Sequence, residues 1–169
     1  GLCREARIVP DALVGTLGKA IGGHGAFVAG THALRAWLWN RARSLVFSTA
    51  PSPLIAALIR NNVVRARADA TGRARLHESA SRLRLALIDA GLMVPEGSTG
   101  PIVPVLLGPS PRAVSVASRL RQAGLRVQPI RPPTVPEGTA RIRLTVSAVL
   151  SDADLARVVE CVIGACSGS

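Results

Sequence analysis

The chain is poor in aromatic and acidic residues. Of its 169 residues none is Tyr, two are Phe and two are Trp, so we expect a core of Ala, Val, Leu and Ile. Ten acidic residues leave a net charge of +11 at pH 7. With few rings to stack on bases and no recognisable nucleic-acid motif, this charge predicts a solvated surface and no nucleic-acid partner. It also favours phosphate-bearing ligands in general.

Cysteine is scarce, and long apolar runs are missing. The three cysteines form no CxxC motif, and the three histidines are not spaced as metal ligands, so we expect neither a disulfide framework nor a metal site. No apolar run reaches the roughly 20 residues that cross a membrane. With 48% hydrophobic residues, the composition predicts a globular, cytoplasmic protein with reduced thiols and no membrane partner.

The first half of the chain alternates short extended segments with helices. Residues 8–14 predict a short buried strand, and a glycine-rich loop separates it from a second strand at residues 26–30. Thr31 is expected to cap a helix through residue 43. Residues 44–53 are expected to be extended, and Ser52 to begin a helix that ends near Ala68.

The second half predicts a small α/β layer. A long helix at residues 72–90 has an apolar stripe and ends before Gly91. The pattern that follows is β-α-β-β-α, with helices covering one face of a sheet. Its elements are expected at residues 102–108, 110–124, 125–130, 141–147 and 151–164. We place a domain boundary at the start of the long helix, which gives domains 1–72 and 73–169.

The segment GTLGKAIGGHGAFVAG contains Lys19, the only lysine; the other twenty basic residues are Arg. A lysine amine can lose its proton and attack a carbonyl, whereas arginine stays charged. Glycines let the backbone approach a ligand closely, and Thr16 adds a hydroxyl. This composition suits a phosphate-bearing aldehyde cofactor, with partial burial of the amine favouring its neutral form. The alternative is an ordinary surface lysine.

Two further segments carry candidate binding residues. In FSTAPSP, the adjacent hydroxyls of Ser48 and Thr49 precede a helix start, which is a natural phosphate position. Helix capping by Ser52 is the simpler alternative. In QPIRPPTVPEGTARIRL, Arg131 follows a strand and precedes a proline-stiffened loop, an arrangement suited to bidentate capture of a carboxylate. An exposed arginine at the end of a strand is the alternative.

Taken in order, these three segments resemble the α-oxoamine synthases, a family of fold-type I pyridoxal-phosphate (PLP) enzymes. The resemblance covers essentially the whole chain. RPPTVPEGTARIRLTVSA is very similar to the C-terminal signature of the family's biotin-pathway member. The resemblance implies an α/β fold that comprises the end of the large PLP domain and the small C-terminal α/β domain. It also implies that the chain corresponds to the C-terminal half of a longer enzyme.

Specific roles follow from the resemblance. Lys19 would bind the cofactor as a Schiff base and move the Cα proton of the amino acid. Thr16 would assist at the phosphate or phenolic side of PLP, and Ser48 or Thr49 would reach the phosphate, often across a homodimer interface. Arg131 would bind the amino-acid carboxylate. The implied reaction condenses L-alanine with a pimeloyl thioester of CoA or acyl carrier protein, with loss of CO₂.

Other functions stay open at this point. A related synthase would use glycine and a short acyl-CoA with the same chemistry. A chain lacking half of a cofactor pocket would instead be inactive, or a non-catalytic dimerisation partner. An RNA-binding basic domain would bind arbitrary RNA in a salt-sensitive way.

Overall fold

A computed structural model describes residue 3 and residues 6–168 of the chain. The chain divides into two compact units, Gly1–Asp69 and Ala70–Ser169. This division lies between Asp69 and Ala70, close to the boundary that the sequence places after residue 72. Each unit has its own sheet, and both sheets are antiparallel.

The first unit is a β-hairpin followed by three helices. Strands β1 (Ala12–Thr16) and β2 (Ala26–Gly30) pair so that Ala12 lies opposite Gly30 and Thr16 opposite Ala26. The helices are α1 (His32–Arg41), α2 (Arg43–Val46) and α3 (Pro53–Ala68). None of the described residues of this unit is fully buried.

Two expectations for the first unit are wrong. The buried strand expected at residues 8–14 begins only at Ala12 and is exposed, because β2 offers partners only from Ala12 onward. Val9 is 94% exposed. The segment expected to be extended contains α2, whose turn closes through a 2.9 Å bond from the Val46 N–H to the Ala42 carbonyl.

The second unit is an α/β layer with the order α-β-α-β-β-α, and its β-α-β-β-α part confirms the predicted pattern. The middle strand of the sheet is β5, with β3 and β4 on either side. Register places Val105 opposite Ile142 on β3 and β5. The elements are α4 (Ala70–Asp89), β3 (Ile102–Gly108), α5 (Ser110–Gln122), β4 (Gln128–Ile130), β5 (Ala140–Thr145) and α6 (Asp152–Ser167).

One face of this sheet forms the core with the three helices. Alternate residues of β3 and β5 are buried, as a strand with one covered face requires. The stripe predicted on α4 is confirmed, since Ala80, Leu83 and Leu87 are at most 1% exposed. The core is almost entirely aliphatic, as the composition predicts.

Helix termini explain where the elements begin and end. Thr31 caps α1 by accepting the Leu34 N–H at 3.2 Å, as expected. Ser151 and Asp154 form a reciprocal capping box on α6. Ser52 precedes α3 but makes no side-chain cap bond, and Pro53 takes the first helical position instead.

Strand β4 is shorter than expected because Gly124 and Leu125 form the C-terminal ending of α5. Gly124 adopts a positive φ of 82°, and the Leu125 N–H bonds back to the Leu120 carbonyl at 2.8 Å. This is a Schellman ending, which takes the chain out of the helix in a fixed direction. Pairing with β5 therefore begins only at Gln128.

Among the helices that the structure describes, none combines the length and apolarity needed to cross a bilayer.

Candidate functional site

Lys19 lies in the loop that joins β1 to β2. The loop closes in two layers, because the Leu17 N–H bonds to the Gly25 carbonyl at 2.9 Å and the Gly23 N–H bonds to the Leu17 carbonyl at 2.8 Å. Inside them, Lys19 begins a tight turn in which its carbonyl accepts the Gly22 N–H at 2.8 Å. Gly22 has a φ of 65°, which a side chain would disfavour. The turn therefore fixes the backbone of Lys19.

Helix α3 holds this loop from one side. The Asn62 amide donates to the Ile21 carbonyl at 2.8 Å, in a part-buried contact. Ile59, three residues earlier and thus on the same helix face, packs so closely on Gly23 that a Cβ there would overlap its side chain. The glycine at position 23 is thus explained by packing between loop and helix rather than by a ligand.

The side chains of Lys19 and Thr16 are exposed. Among the residues that the structure describes, neither side chain makes a hydrogen bond or ion pair with another. Thr16 ends β1 opposite Ala26, on the same hairpin as Lys19. The partial burial expected for the Lys19 amine is absent from the described unit, because no element of it covers the loop on that side.

Ser48 and Thr49 lie between α2 and α3. The Ser48 hydroxyl donates to the Leu45 carbonyl at 2.9 Å, so its hydrogen is already used by the end of α2. Thr49 is exposed, and its hydroxyl makes no bond to the described residues. Of the two, Thr49 is the one free to donate to a phosphate without breaking an internal bond.

Arg131 belongs to the second unit and directly follows β4. The loop after it comprises two tight turns: the Arg131 carbonyl accepts the Thr134 N–H at 3.0 Å, and the Pro136 carbonyl accepts the Thr139 N–H at 3.2 Å. The residue is exposed, and within the described part of the chain its guanidinium has no hydrogen-bond or ion-pair partner. The strand-end position predicted for Arg131 is confirmed, whereas the rigidity of the loop and the role of Arg131 stay predictions.

Arg141, on β5, donates hydrogen bonds to the second turn of the loop after Arg131. Its Nε donates to the Thr139 carbonyl at 3.0 Å and an Nη donates to the Thr139 hydroxyl at 3.1 Å. That hydroxyl in turn donates to the Pro136 carbonyl at 2.7 Å. Ile130 pairs with Arg141 across the two strands, so the loop opens and closes at one point of the sheet.

The structure brings only some of the predicted residues together. Thr16 and Lys19 share one hairpin, and Ser48 and Thr49 precede the helix that holds the loop of this hairpin. No described hydrogen bond joins the pair Ser48 and Thr49 to Lys19. Arg131 stands in the other unit.

Sequence reasoning missed four residues that hold the candidate site in place: Ile59, Asn62, Thr139 and Arg141. No signal in the sequence singles out Asn62, since Asn61 beside it carries the same side chain. Thr139 and Arg141 alternate around Ala140 at the start of a strand, but the pattern alone does not show that both bonds of the guanidinium go to Thr139.

The residues of the first unit fit a phosphate-bearing aldehyde. They offer a primary amine without an internal partner, two unengaged hydroxyls at Thr16 and Thr49, and open backbone around the loop. A Cβ at Gly25 would meet no atom within 4 Å, and one at Gly18 would meet its nearest at 3.6 Å. The donor chemistry therefore matches both ends of such a cofactor.

Comparison with known proteins identifies relatives over nearly the whole chain. A family model described as aminotransferase class I and II matches residues 2–162. The 8-amino-7-oxononanoate synthase of Halorhodospira halophila is 45% identical over 165 residues, 96% of this chain and 40% of its own. The corresponding synthase of Chromohalobacter salexigens is 44% identical over 160 residues, 95% of this chain and 41% of its own.

A solved structure is similar over the same range. Serine palmitoyltransferase from S. paucimobilis, solved with a bound adduct of PLP and myriocin, superimposes with a TM-score of 0.86. It is 26% identical, and the match covers 95% of this chain and 40% of that one. These similarities confirm the expected resemblance and fold class. The chain spans about 40% of the length of the curated relatives it matches.

Proposed function

The chain belongs to the aminotransferase class I and II family, and we propose that it is part of a PLP-dependent acyltransferase of the α-oxoamine synthase type. The proposed reaction condenses L-alanine with a pimeloyl thioester, on CoA or acyl carrier protein, and releases CO₂ to give 8-amino-7-oxononanoate. Relatives with that name, 44–45% identical over nearly all of this chain, support the choice of substrates.

The observation that carries the proposal is the Lys19 loop. The only lysine of the chain starts a turn whose backbone is fixed by the Gly22 N–H and whose flank is tied to α3 by Asn62, while its amine is free of described internal partners. A surface lysine left by chance needs no such support. A lysine that must meet one atom of a cofactor does, because misplacement by about 1 Å costs on the order of 100-fold in rate.

Pyridoxal phosphate is the cofactor that the family and the PLP-bound palmitoyltransferase indicate. Lys19 would hold it through its amine, and Thr16 and Thr49 through their hydroxyls; Ser48 would have to release the Leu45 carbonyl first. When bound, PLP supplies an electron-withdrawing ring that stabilises negative charge at the Cα of the amino acid.

Lys19 would also move a proton. Its Nζ, as a free amine, accepts the proton from the Cα of the bound amino acid and later returns one to the product. Arginine at this position would keep its charge and accept no proton at neutral pH. The flexible side chain on a fixed backbone lets the amine serve both roles.

Arg131 would orient the amino acid. A guanidinium binds a carboxylate through two parallel N–H···O bonds, which fixes both position and plane. Its exposure and the lack of an acidic partner in the described chain leave both donors available. Orientation matters here because only the Cα–H bond is to be broken at this stage.

Two other amino acids are candidate substrates beside alanine. The similarity to serine palmitoyltransferase favours a test of serine and of glycine with a shorter acyl-CoA beside alanine. Each combination uses the same residues of this chain. Turnover of each amino acid with pimeloyl-CoA and with a short acyl-CoA, measured side by side, decides between them.

We further propose that the protein works as a homodimer. Exposed aromatic and aliphatic side chains in the first unit support this, with Trp37 61%, Trp39 69% and Phe47 80% exposed. In the full-length protein we expect these side chains to be covered by the rest of the chain or by a second subunit, because large contiguous apolar surface is rare on soluble proteins. The mass of the full-length protein in analytical ultracentrifugation tests it, and a monomer at micromolar concentration would contradict it.

The function is tested by replacing the lysine in the full-length protein. In Lys19→Arg, we expect no covalent attachment of PLP and no turnover of alanine, with the circular dichroism spectrum unchanged. Attachment is read by borohydride reduction followed by mass spectrometry of the Lys19 peptide.

A matched control exchanges the same two residue types elsewhere. Arg121→Lys adds an exposed lysine on α5 and is expected to remain unlabelled while Lys19 is labelled as before. Equal labelling of both lysines would mean that PLP reacts with any exposed amine, and turnover by Lys19→Arg would refute the assignment.

A further inference from the structure

We propose that Thr139 and Arg141 form a clamp that positions Arg131, which makes both of them determinants of amino-acid affinity. The inference rests on the proposed function, in which Arg131 binds the carboxylate. It concerns residues that make no contact with substrate themselves. Neither residue is therefore a catalytic residue.

The loop after Arg131 has few means of its own to stay in place. Pro132, Pro133 and Pro136 lack a backbone N–H, so they cannot donate hydrogen bonds that would fold it. Each of its two turns is closed by a single backbone bond, from Thr134 and from Thr139. A loop so short of donors depends on side chains for the rest of its hydrogen bonds.

Thr139 and Arg141 supply these bonds. The N–H and the hydroxyl of Thr139 both donate to the Pro136 carbonyl, and Arg141 donates to the carbonyl and the hydroxyl of the same threonine. Four hydrogen bonds thus converge on one residue of the loop. Arg141 is part-buried and its described partners are neutral oxygens, so two of its donors are spent on loop geometry.

The clamp lies next to the end of β4, where Arg131 leaves the sheet. Ile130 and Arg141 are paired across β4 and β5, so the guanidinium that holds the end of the loop is anchored beside its beginning. Prolines fix φ at their positions, which makes the loop stiff and lets a shift of the second turn reach the first. Release of Thr139 is therefore expected to loosen the backbone of Arg131.

The test uses the full-length protein with three substitutions. Thr139→Val removes the hydroxyl with little change of shape, whereas Thr139→Ser keeps it. Thr145→Val makes the same change as Thr139→Val on β5, where no described hydrogen bond is lost. Thr139→Val removes two of the four hydrogen bonds, and we expect it to raise the KM for the amino acid about three- to tenfold, the size of one net hydrogen bond, with kcat nearly unchanged. Thr139→Ser and Thr145→Val are expected to retain the wild-type KM.

Arg141→Lys tests the same clamp from its other residue, and it replaces Thr139→Val if that variant does not fold. A lysine keeps the charge but cannot donate from a fork to two atoms of Thr139, so the same rise in KM is expected. Amide hydrogen exchange at Thr134 and Thr139 is measured in parallel. Faster exchange at both, in Thr139→Val and in Arg141→Lys, is expected.

The outcomes separate the existence of the clamp from its effect on Arg131. Faster exchange with an unchanged KM would show a loop clamp that does not position Arg131, and unchanged exchange would show no clamp; either result overturns the inference. Absence of turnover by the wild-type protein would refute the proposed function and with it the role of Arg131. The exchange rates would then still decide whether the clamp exists.

Discussion

Gly23 is the position where the Lys19 loop is most sensitive to a small change. A Cβ at residue 23 would overlap the Cγ1 of Ile59 and lie 2.9 Å from its Cδ1. Because Cγ1 is next to the branch point, rotation of the terminal carbon alone cannot relieve the overlap. Overpacking by one methyl group costs about 1–3 kcal/mol. We therefore expect Gly23→Ala to reduce the free energy of unfolding of the first unit by that amount.

The assay uses the two tryptophans of the chain. Trp37 and Trp39 both lie on α1, so the fluorescence of a urea titration reports the unfolding of the first unit. Gly18→Ala is the matched control in the same loop, since its Cβ would lie 3.6 Å from the nearest atom and its φ is not positive. That control is expected to be neutral or slightly stabilising.

A compensating substitution separates packing from other causes. Ile59→Ala removes both atoms that the new methyl group would crowd and leaves only the Leu17 carbonyl at 3.6 Å, so Gly23→Ala in that background is expected to cost little or to stabilise. The measure is the coupling free energy of the double-mutant cycle, expected at about 1–3 kcal/mol. Strict additivity, or a Gly23→Ala variant as stable as Gly18→Ala, would refute the packing of α3 on the loop.

Two further predictions concern the second unit. Leu87→Ala, at a side chain with no exposed surface, is expected to cost about 2–5 kcal/mol in urea unfolding followed by circular dichroism, whereas Leu85→Ala, 59% exposed, is expected to change stability by less than about 0.5 kcal/mol. Hydrogen bonds from the Ser151 side chain, and then from its backbone, lower the pKa of Asp154. Because the pKa of Asp154 is lower in the folded state, its carboxylate stabilises the fold at any pH above the pKa of the unfolded state. This contribution is lost as the pH falls through the pKa of the folded state. Ser151→Ala is therefore expected to raise the pKa of Asp154 in an NMR titration and to destabilise more at neutral than at acidic pH; an unchanged pKa would contradict this.

Most of the second unit could be predicted from sequence because its pattern is local. Leu83 and Leu87 are one helical turn apart and both are buried, and Ser151 with Asp154 three residues later makes the expected cap. Gly91 ends α4 with a φ of 77°, as its position before a new segment predicts. Local signals of this kind need no tertiary contact to be read.

The errors fall where a distant contact or a competing local bond decides the structure. The start of β1 depends on the length of β2, and Val9, with no strand opposite it, stays outside the hairpin although it is β-branched. The expected strand at residues 125–130 begins only at Gln128, and Leu125 belongs to the ending of α5. The support of Lys19 by Asn62 could not be predicted, because no periodicity records a bond across 41 residues.

That same bond has a consequence for the order of events during synthesis. Asn62 leaves the ribosome 41 residues after Ile21, so at about 5–20 residues per second the loop exists for several seconds before the helix that holds it. During this interval the hairpin around Lys19 can close, yet its inner turn lacks the amide that ties it down. The loop is therefore tied to α3 only after this interval, and the nascent chain passes through a stage in which the turn at Lys19 can form without the helix that holds it.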